Sequence, residues 1–325
     1  MQTNAYVLGI DTSNYTTSVA VVREDGEIIH DLRKALIVKQ GERGLRQSHA
    51  LFQHVEALPA LIGKAMRGTG SCFKAVAVSA RPRPVDSSYM PVFKAGESFA
   101  TSISHALTIP AYAFSHQEGH IEAVKAYSAF KEKERFLCYH LSGGTCELLN
   151  VNGDMISIIG GTKDISFGQV IDRIGVLFGM QFPCGAELDR IAVKTVEQSN
   201  ILTDIPLDGL HINLSGIETQ ASKIIKNGLS AIERDALIKE TLNKISNSLI
   251  DLTEKAVFQT GLRDILFTGG VSASKFLHSM LCAYFDGSGV NIEFGDQHLS
   301  SDNAVGTALL GIKSYCRGEG SAEGK

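Results

Sequence analysis

His116 and His120 stand four residues apart in the run Ser115-His116-Gln117-Glu118-Gly119-His120. The run follows an apolar stretch at 111–114 that reads as a strand, and it opens a stretch that reads as a helix. On a helix, positions i and i+4 share one face, so both imidazoles can turn toward one metal ion. The zinc-protease pattern His-Glu-x-x-His is different: here the acid stands third and is followed by glycine, so the general-base geometry of those proteases does not carry over. Taken alone, the pair also fits two polar side chains at a helix start. His49 and His54 sit among apolar neighbours on a helical stretch and read as packing or surface residues.

Four turns stand where strands end, the side of an α/β sheet on which ligands bind. They are Gly9-Ile10-Asp11-Thr12-Ser13, Leu141-Ser142-Gly143-Gly144-Thr145, Phe267-Thr268-Gly269-Gly270-Val271-Ser272 and Ser300-Ser301-Asp302-Asn303. Paired glycines let the backbone pass close to a phosphate, which the exposed N–H groups then bind. Asp11 or Asp172 can hold a metal or a ribose. Any one of these turns is also what a strand-to-helix connection requires; the set in this order is more specific. Arg81 and Arg83 read either as phosphate contacts or as solvated surface.

Positioning these turns requires a repeated scaffold. Strands at 5–11, 16–23 and 28–36, with a hairpin turn at Glu24-Asp25-Gly26-Glu27, lead to a helix at 48–66, a strand at 74–79, a helix at 97–107 and a strand at 109–114. The second half repeats the order. Strands at 135–141, 147–151 and 155–160 precede helices at 167–178 and 232–259, a strand at 264–268, a helix at 272–284, a strand at 290–294 and a closing helix at 301–315. The β-hairpin-β-then-αβα pattern therefore occurs twice. That duplication predicts an α/β protein of the actin-like ATPase (ASKHA) fold, with two similar lobes and a nucleotide cleft between them. The expected lobes are 1–133 and 134–317, with a helical insertion at about 180–232 and a disordered tail at 318–325. The glycine turns at 143–144 and 269–270 are expected to face each other across the cleft.

Of the 325 residues, 44% are hydrophobic and 20% charged, which is ordinary globular composition. No apolar run approaches the roughly 18 residues that a membrane helix needs, and no leader-like segment opens the chain. A soluble, cytoplasmic protein without a membrane partner is expected. The six cysteines form no Cys-x-x-Cys pair, which excludes a zinc ribbon and predicts free thiols. A net charge of −4 argues against a chain that grips nucleic acid alone through a basic surface.

The chain resembles the tRNA N6-adenosine threonylcarbamoyltransferase family, formerly described as O-sialoglycoprotein endopeptidases. The resemblance rests on Gly9-Ile10-Asp11-Thr12-Ser13, on the His-x-Glu-Gly-His block at 116–120 and on Leu141-Ser142-Gly143-Gly144. It also rests on 167–192 with Asp172, Gly185 and Asp189, on Gly269-Gly270-Val271-Ser272-Ala273 and on Ser301-Asp302-Asn303-Ala304. It implies that His116, His120 and Asp302 hold one iron or zinc ion. It implies that Asp11, Ser142, Gly143, Gly144, Thr145, Asp172, Gly185, Asp189, Gly269, Gly270 and Ser274 meet an adenine nucleotide or acyl adenylate. The implied reaction transfers a threonylcarbamoyl group from its adenylate to N6 of the adenosine beside the tRNA anticodon.

A smaller homologous subunit is the implied partner, meeting the helix after His120 through Ile121, Val124 and Ala126, with tRNA reached through that complex; a homodimer is compatible with it. Several positions depart from the family pattern. The family's Glu-Thr-Ser-Cys-Asp-Glu-Thr is Asp11-Thr12-Ser13-Asn14-Tyr15-Thr16-Thr17 here. Its Gly-Pro-Gly-Leu loop is Ala80-Arg81-Pro82-Arg83-Pro84-Val85-Asp86. Thr145 replaces a His, Ser274 an Asn, and Cys184-Gly185-Ala186 a Gly-Gly-Pro. A divergent paralogue is implied. The alternatives are a carbamoyltransferase or ATPase acting on a substrate other than tRNA, and a non-catalytic partner subunit.

Overall fold

The structure, a computed structural model, describes residues 5–13, 15–38, 45–67, 69, 72–85 and 87–321. Asn14, Asp86 and the last residues of the tail, 322–325, lie outside the described residues. Contacts divide the chain into two compact units. One consists of Met1–Ile37, Leu45–Tyr127 and His298–Lys325, the other of Val38–Gly44 and Ser128–Gln297.

The first unit opens with β1 (Tyr6–Thr12), β2 (Thr16–Arg23), β3 (Ile28–Ala35), α1 (Gln47–Ala65), β4 (Phe73–Arg81), α2 (Phe93–Leu107), β5 (Ala111–Ser115) and α3 (His116–Ala126). Its strands form one sheet in the order β3-β2-β1-β4-β5. The β1–β2–β3 meander is antiparallel, whereas β4 runs parallel to β1 and β5 parallel to β4. β1 and β2 are buried on both faces, which is why they read as nearly continuous apolar runs rather than alternating ones. One face, through Leu8, Ile10, Val19 and Val21, packs with Leu58, Leu61 and Ile62 of α1 and Ala100 of α2.

His54 of α1 ties this layer to the loop after β1. Its Nε2–H donates to the Ser13 carbonyl at 2.8 Å, so Nδ1 is the acceptor for the Thr17 hydroxyl, also at 2.8 Å. The ring is fully buried, and burial lowers its pKa against the smaller opposing pull of the Ser13 bond. A depressed histidine contributes stability above its unfolded pKa of about 6.5, and that contribution is lost as pH falls below it. His54→Leu is therefore expected to cost about 2 kcal/mol at pH 7.5, through two orphaned buried groups. In thermal melts the gap between variant and wild type should narrow toward pH 5.

The second unit runs β6 (Arg135–Leu141), β7 (Cys146–Asn152), β8 (Met155–Thr162), α4 (Phe167–Leu177), α5 (Gly185–Lys194), β9 (Leu207–Asp208), β10 (His211–Ile212), α6 (Ser215–Lys226), α7 (Ala231–Thr260), β11 (Asp264–Thr268), a 3₁₀ turn at Gly270–Ala273, α8 (Lys275–Phe285) and β12 (Asn291–Phe294). The sheet order is β12-β11-β6-β7-β8-β10-β9. The β6–β7–β8 meander is again antiparallel, with β11 parallel to β6 and β12 parallel to β11. The topology of the first sheet thus recurs, as the repeated sequence pattern predicts. The insertion at 180–232 is more ordered than its prolines and glycines suggest: it carries α5 and α6, and its short hairpin extends the sheet beside β8.

The chain ends with the short α9 (Gln297–Ser300) and with α10 (Val305–Cys316). The contacts divide the molecule differently from the expected lobes of 1–133 and 134–317. The second face of the first sheet, with Val7, Ala20, Ala75 and Ala77, needs an apolar cover. Val305, Ala308 and Leu309 of α10 provide it, together with Ala123 of α3. The tail expected to be disordered at 318–325 is held at its start. The Tyr112 hydroxyl donates to the Glu319 carbonyl at 3.2 Å, and the Ser321 hydroxyl donates to the Ala111 carbonyl at 3.2 Å.

Two further expectations are corrected. The turns at 143–144 and 269–270 do not belong to opposite lobes. They follow β6 and β11, which are hydrogen-bonded neighbours in one sheet. The partner-facing role given to the helix after His120 also fails, because Ile121 and Val124 are 4% and 1% exposed. The exposed apolar side chains of this unit include Phe52 and Val55 on α1, with Ile37 and Tyr89 outside that helix. All six cysteines are free, and no helix among the described residues is long and apolar enough to cross a membrane.

Candidate metal centre

Local structure at 115–120 is set by a reciprocal cap. The Ser115 hydroxyl accepts from the Glu118 N–H at 3.2 Å, and the Glu118 carboxylate accepts from the Ser115 N–H at 2.6 Å. The acid within the histidine block is therefore a helix-capping group. The Ser-x-x-Glu spacing was the sequence signal for it. The cap starts α3 at His116, so His116 and His120 occupy successive turns of one face. Their rings meet edge to face at a centroid distance of 4.3 Å.

Asp302 arrives from the other end of the chain. The sequence reads as helix over 301–315, but α10 begins only at Val305. The reason is Asn303, whose side-chain oxygen accepts from the N–H of Val305 at 2.9 Å and whose amide donates to the carbonyls of Leu299 and Ser301. The segment is bent into a turn with Asp302 at its tip. Two close backbone approaches bring that turn to its place. A Cβ on Gly9 would lie 2.4 Å from the Ala304 carbonyl oxygen, and one on Gly306 would lie 1.8 Å from that of Gly119. The glycine in the histidine block is thus where α3 and α10 touch.

The three donors converge. His120 Nε2 lies 2.9 Å from His116 Nε2, and Asp302 Oδ1 lies 3.5 Å from His116 Nε2 and 3.3 Å from His120 Nε2. One ligand atom from each residue falls within 4.8 Å of the others. Behind them, His116 Nδ1 is 2.7 Å from Asp11 Oδ2. Asp11 is 1% exposed, and its other oxygen accepts from the Ser13 N–H at 3.0 Å. Asp11 is therefore the carboxylate behind a histidine rather than a member of the converging set. Such a bond fixes the tautomer and points the Nε2 lone pair outward.

The electrostatics follow from burial and proximity. Burial lowers the His116 pKa, but the charge and hydrogen bond of Asp11, followed by those of Asp302, raise it to about 10. Burial and the His116 charge lower that of His120. Burial would raise the Asp302 carboxyl, yet its bonds to both histidines hold it well below the usual carboxylate range. Asp11 is likewise held low by His116 against the effect of burial. Two imidazole nitrogens and one carboxylate oxygen form a donor set suited to zinc or iron, and three protein ligands leave positions open for substrate oxygens.

The remaining candidate residues lie in the second unit. The Ser142 hydroxyl accepts from the Gly144 N–H at 3.3 Å and the Thr145 N–H at 3.0 Å, closing a tight turn. The Ser166 hydroxyl donates to the Gly143 carbonyl at 2.7 Å and so holds that turn against the start of α4. Gly269 ends β11 with φ of 91°, and Gly270 starts the 3₁₀ turn. Asp172 accepts from the Cys184 N–H at 2.7 Å, which anchors the turn leading to Gly185 at the start of α5, and burial raises its carboxyl. Asp189 and Ser274 meet each other. The Ser274 hydroxyl donates to Asp189, which also accepts from the N–H groups of Lys275 and Phe276 at 3.1 Å. Asp189 therefore caps α8.

Comparison with known proteins gives a consistent result. The family model described as "TsaD: tRNA N6-adenosine threonylcarbamoyltransferase" matches residues 33–309. A tRNA N6-adenosine threonylcarbamoyltransferase of Thermus thermophilus is 30% identical over 319 residues, covering 96% of this chain and 94% of that one. Among solved structures, full-length HypF in its phosphate- and nucleotide-bound form aligns with a TM-score of 0.62 at 14% identity, over 95% of this chain and 55% of that chain. Component A of the (R)-2-hydroxyglutaryl-CoA dehydratase of Acidaminococcus fermentans aligns with a TM-score of 0.58 at 14% identity, over 96% and 99%. These structural likenesses show the actin-like ATPase fold.

Proposed function

The chain belongs to the tRNA N6-adenosine threonylcarbamoyltransferase family, and from that premise we infer that its site carries out acyl transfer. The donor is a threonylcarbamoyl adenylate, the acceptor is N6 of the adenosine beside the tRNA anticodon, and AMP leaves. The observation that supports this reading best is the convergence of His116, His120 and Asp302 with Asp11 behind His116. An iron or zinc ion held there would place positive charge beside donor oxygens that gain negative charge in the reaction.

This chain's residues divide the work. Asp11 holds the Nδ1 proton of His116 and leaves Nε2 to the cation. His120 would supply the second neutral imidazole nitrogen. Asp302, held ionised by the two histidines, would supply the negatively charged oxygen donor. In the second unit, the Gly143 N–H and the Gly269–Gly270 turn are the backbone offered to phosphate, since the N–H groups of Ser142, Gly144 and Thr145 are held within their own turn. Asp172 orients the turn that presents Gly185, beside which a Cβ would meet no atom within 4 Å. Asp189 and Ser274 act there by fixing the start of α8. A net charge of −4 favours tRNA engagement through a partner, for which the exposed Phe52 and Val55 face of α1 is available.

A second reading, acyl or carbamoyl transfer to an acceptor other than tRNA, is favoured by the substitutions at 80–86, Thr145, Ser274 and 184–186. One assay separates the two. Protein, tRNA and threonylcarbamoyl adenylate are incubated with zinc or ferrous iron, and the tRNA is digested to nucleosides for mass analysis. Metal-dependent threonylcarbamoyladenosine is expected. None, even with the cell's other subunits of this pathway present, would overturn tRNA as the acceptor.

A further inference from the structure

We propose that Asp31 and Arg33 of β3 are positioning residues for the metal carboxylate Asp302, holding the turn that carries it against the edge of the first sheet. This inference rests on the metal reading above.

The two side chains are two residues apart on a strand, so they project from the same face. Arg33 Nε and Nη2 donate to the two oxygens of Asp31 at 2.9 and 2.5 Å, a fork-to-fork pair. The pair is largely buried, with side-chain exposures of 16% for Arg33 and 9% for Asp31. Both members also reach across to the segment before α10. Arg33 Nη1 donates to the Ser301 hydroxyl at 2.7 Å, and His298 Nε2 meets Asp31 Oδ2 at 2.9 Å. The Ser301 hydroxyl in turn donates to the His298 carbonyl at 3.1 Å. The contacts close into a ring of four residues, and Asp302 is the next residue along the chain.

A buried ion pair contributes little net stability compared with apolar residues of the same shape, because desolvation cancels much of the attraction. The fold therefore gains little from this pair, whereas the turn gains a fixed place. Asn303 shapes the turn from within, but nothing in that shaping ties it to the sheet. The Asp31–Arg33 fork does. Arginine suits the task because its planar fork can hold Asp31 with one edge and Ser301 with the remaining nitrogen; a lysine ammonium cannot do both with fixed direction.

Zinc affinity by competition with a chromophoric chelator, and the visible spectrum of the cobalt-substituted protein, provide the test. Arg33→Met is expected to weaken zinc binding about 10–100-fold, the scale on which partners behind metal ligands act, and to alter the cobalt bands. The double variant Asp31→Leu/Arg33→Met leaves no unpaired buried charge, so it should melt near wild type yet show the same loss. Arg33→Lys should recover only part of the affinity. A folded double variant with wild-type zinc affinity and cobalt spectrum would overturn the proposal, as would a lowered melting temperature with an unchanged spectrum. A wild-type protein that binds neither zinc nor cobalt would instead remove the metal reading itself, and this inference with it.

Discussion

Gly306→Ala is expected to separate α3 from α10 and to abolish metal binding. The new Cβ would sit 1.8 Å from the Gly119 carbonyl oxygen and 2.7 Å from the Ala123 nitrogen. Both are backbone atoms of α3, so no side chain can swing aside. The helices must part, and overpacking of this kind costs about 1–3 kcal/mol or more. Parting them moves both histidines away from Asp302, because the histidines ride on α3 while Asp302 precedes α10. Zinc titration should show at least about a 100-fold loss, and calorimetry a clear drop in melting temperature. Gly63→Ala is the matched control. Gly63 lies inside α1 with nothing within 4 Å of a new Cβ, so the substitution should stabilise the protein by about 0.5–1 kcal/mol. Unchanged zinc affinity in Gly306→Ala would show that the close contact does not position the site.

Single removal of a ligand should be nearly as damaging to chemistry and far less so to the fold. His120→Ala and Asp302→Ala are each expected to reduce zinc or iron affinity by more than about 100-fold, beyond what loss of a partner behind a ligand costs. Turnover should fall by about 10²–10³, the usual scale for losing one stabilising group at a developing negative charge. Asp11→Asn should fall between these variants and wild type. It keeps the three donors but loses the charge that orients His116. Melting curves of the ligand variants should stay close to wild type, because the apolar layers of the first unit do not include these side chains. Equal turnover in His120→Ala and wild type at the same limiting zinc concentration would sink the assignment.

The duplicated architecture was legible because it depends on local periodicity. β1, β4 and β6 are apolar runs bounded by turn residues, and each meander is joined by a Gly-containing turn such as Asp25-Gly26 or Asn152-Gly153. The histidine pair was legible for the same reason, since one helix sets its spacing. What escaped was long-range. The assignment of 298–317 to the first unit depends on which apolar face lacks a cover, and strand patterns do not reveal that. Asp11 looked like a ligand or a ribose partner, but its depth at the end of β1 leaves it to act on His116. Asp189 looked like a nucleotide contact, and the start of α8 claims both of its oxygens. The bend at Asp302 was hidden because Asn303 interrupts the helix with its side chain and leaves the apolar pattern of 305–315 intact.

The contribution of His298–Lys325 to the first unit has a consequence for biosynthesis. A ribosome translating this message makes all of Ser128–Gln297 after β1–β5 and α3 but before α10. During that interval Val7, Ala75 and Ala77 lack their cover, and His116 and His120 lack their carboxylate. The later-synthesised unit is therefore expected to mature ahead of the earlier one, inverting the usual amino-to-carboxyl order of domain folding during synthesis. Metal capture then waits for the segment that carries Asp302, and a product truncated anywhere before Asp302 lacks the third donor however long it is.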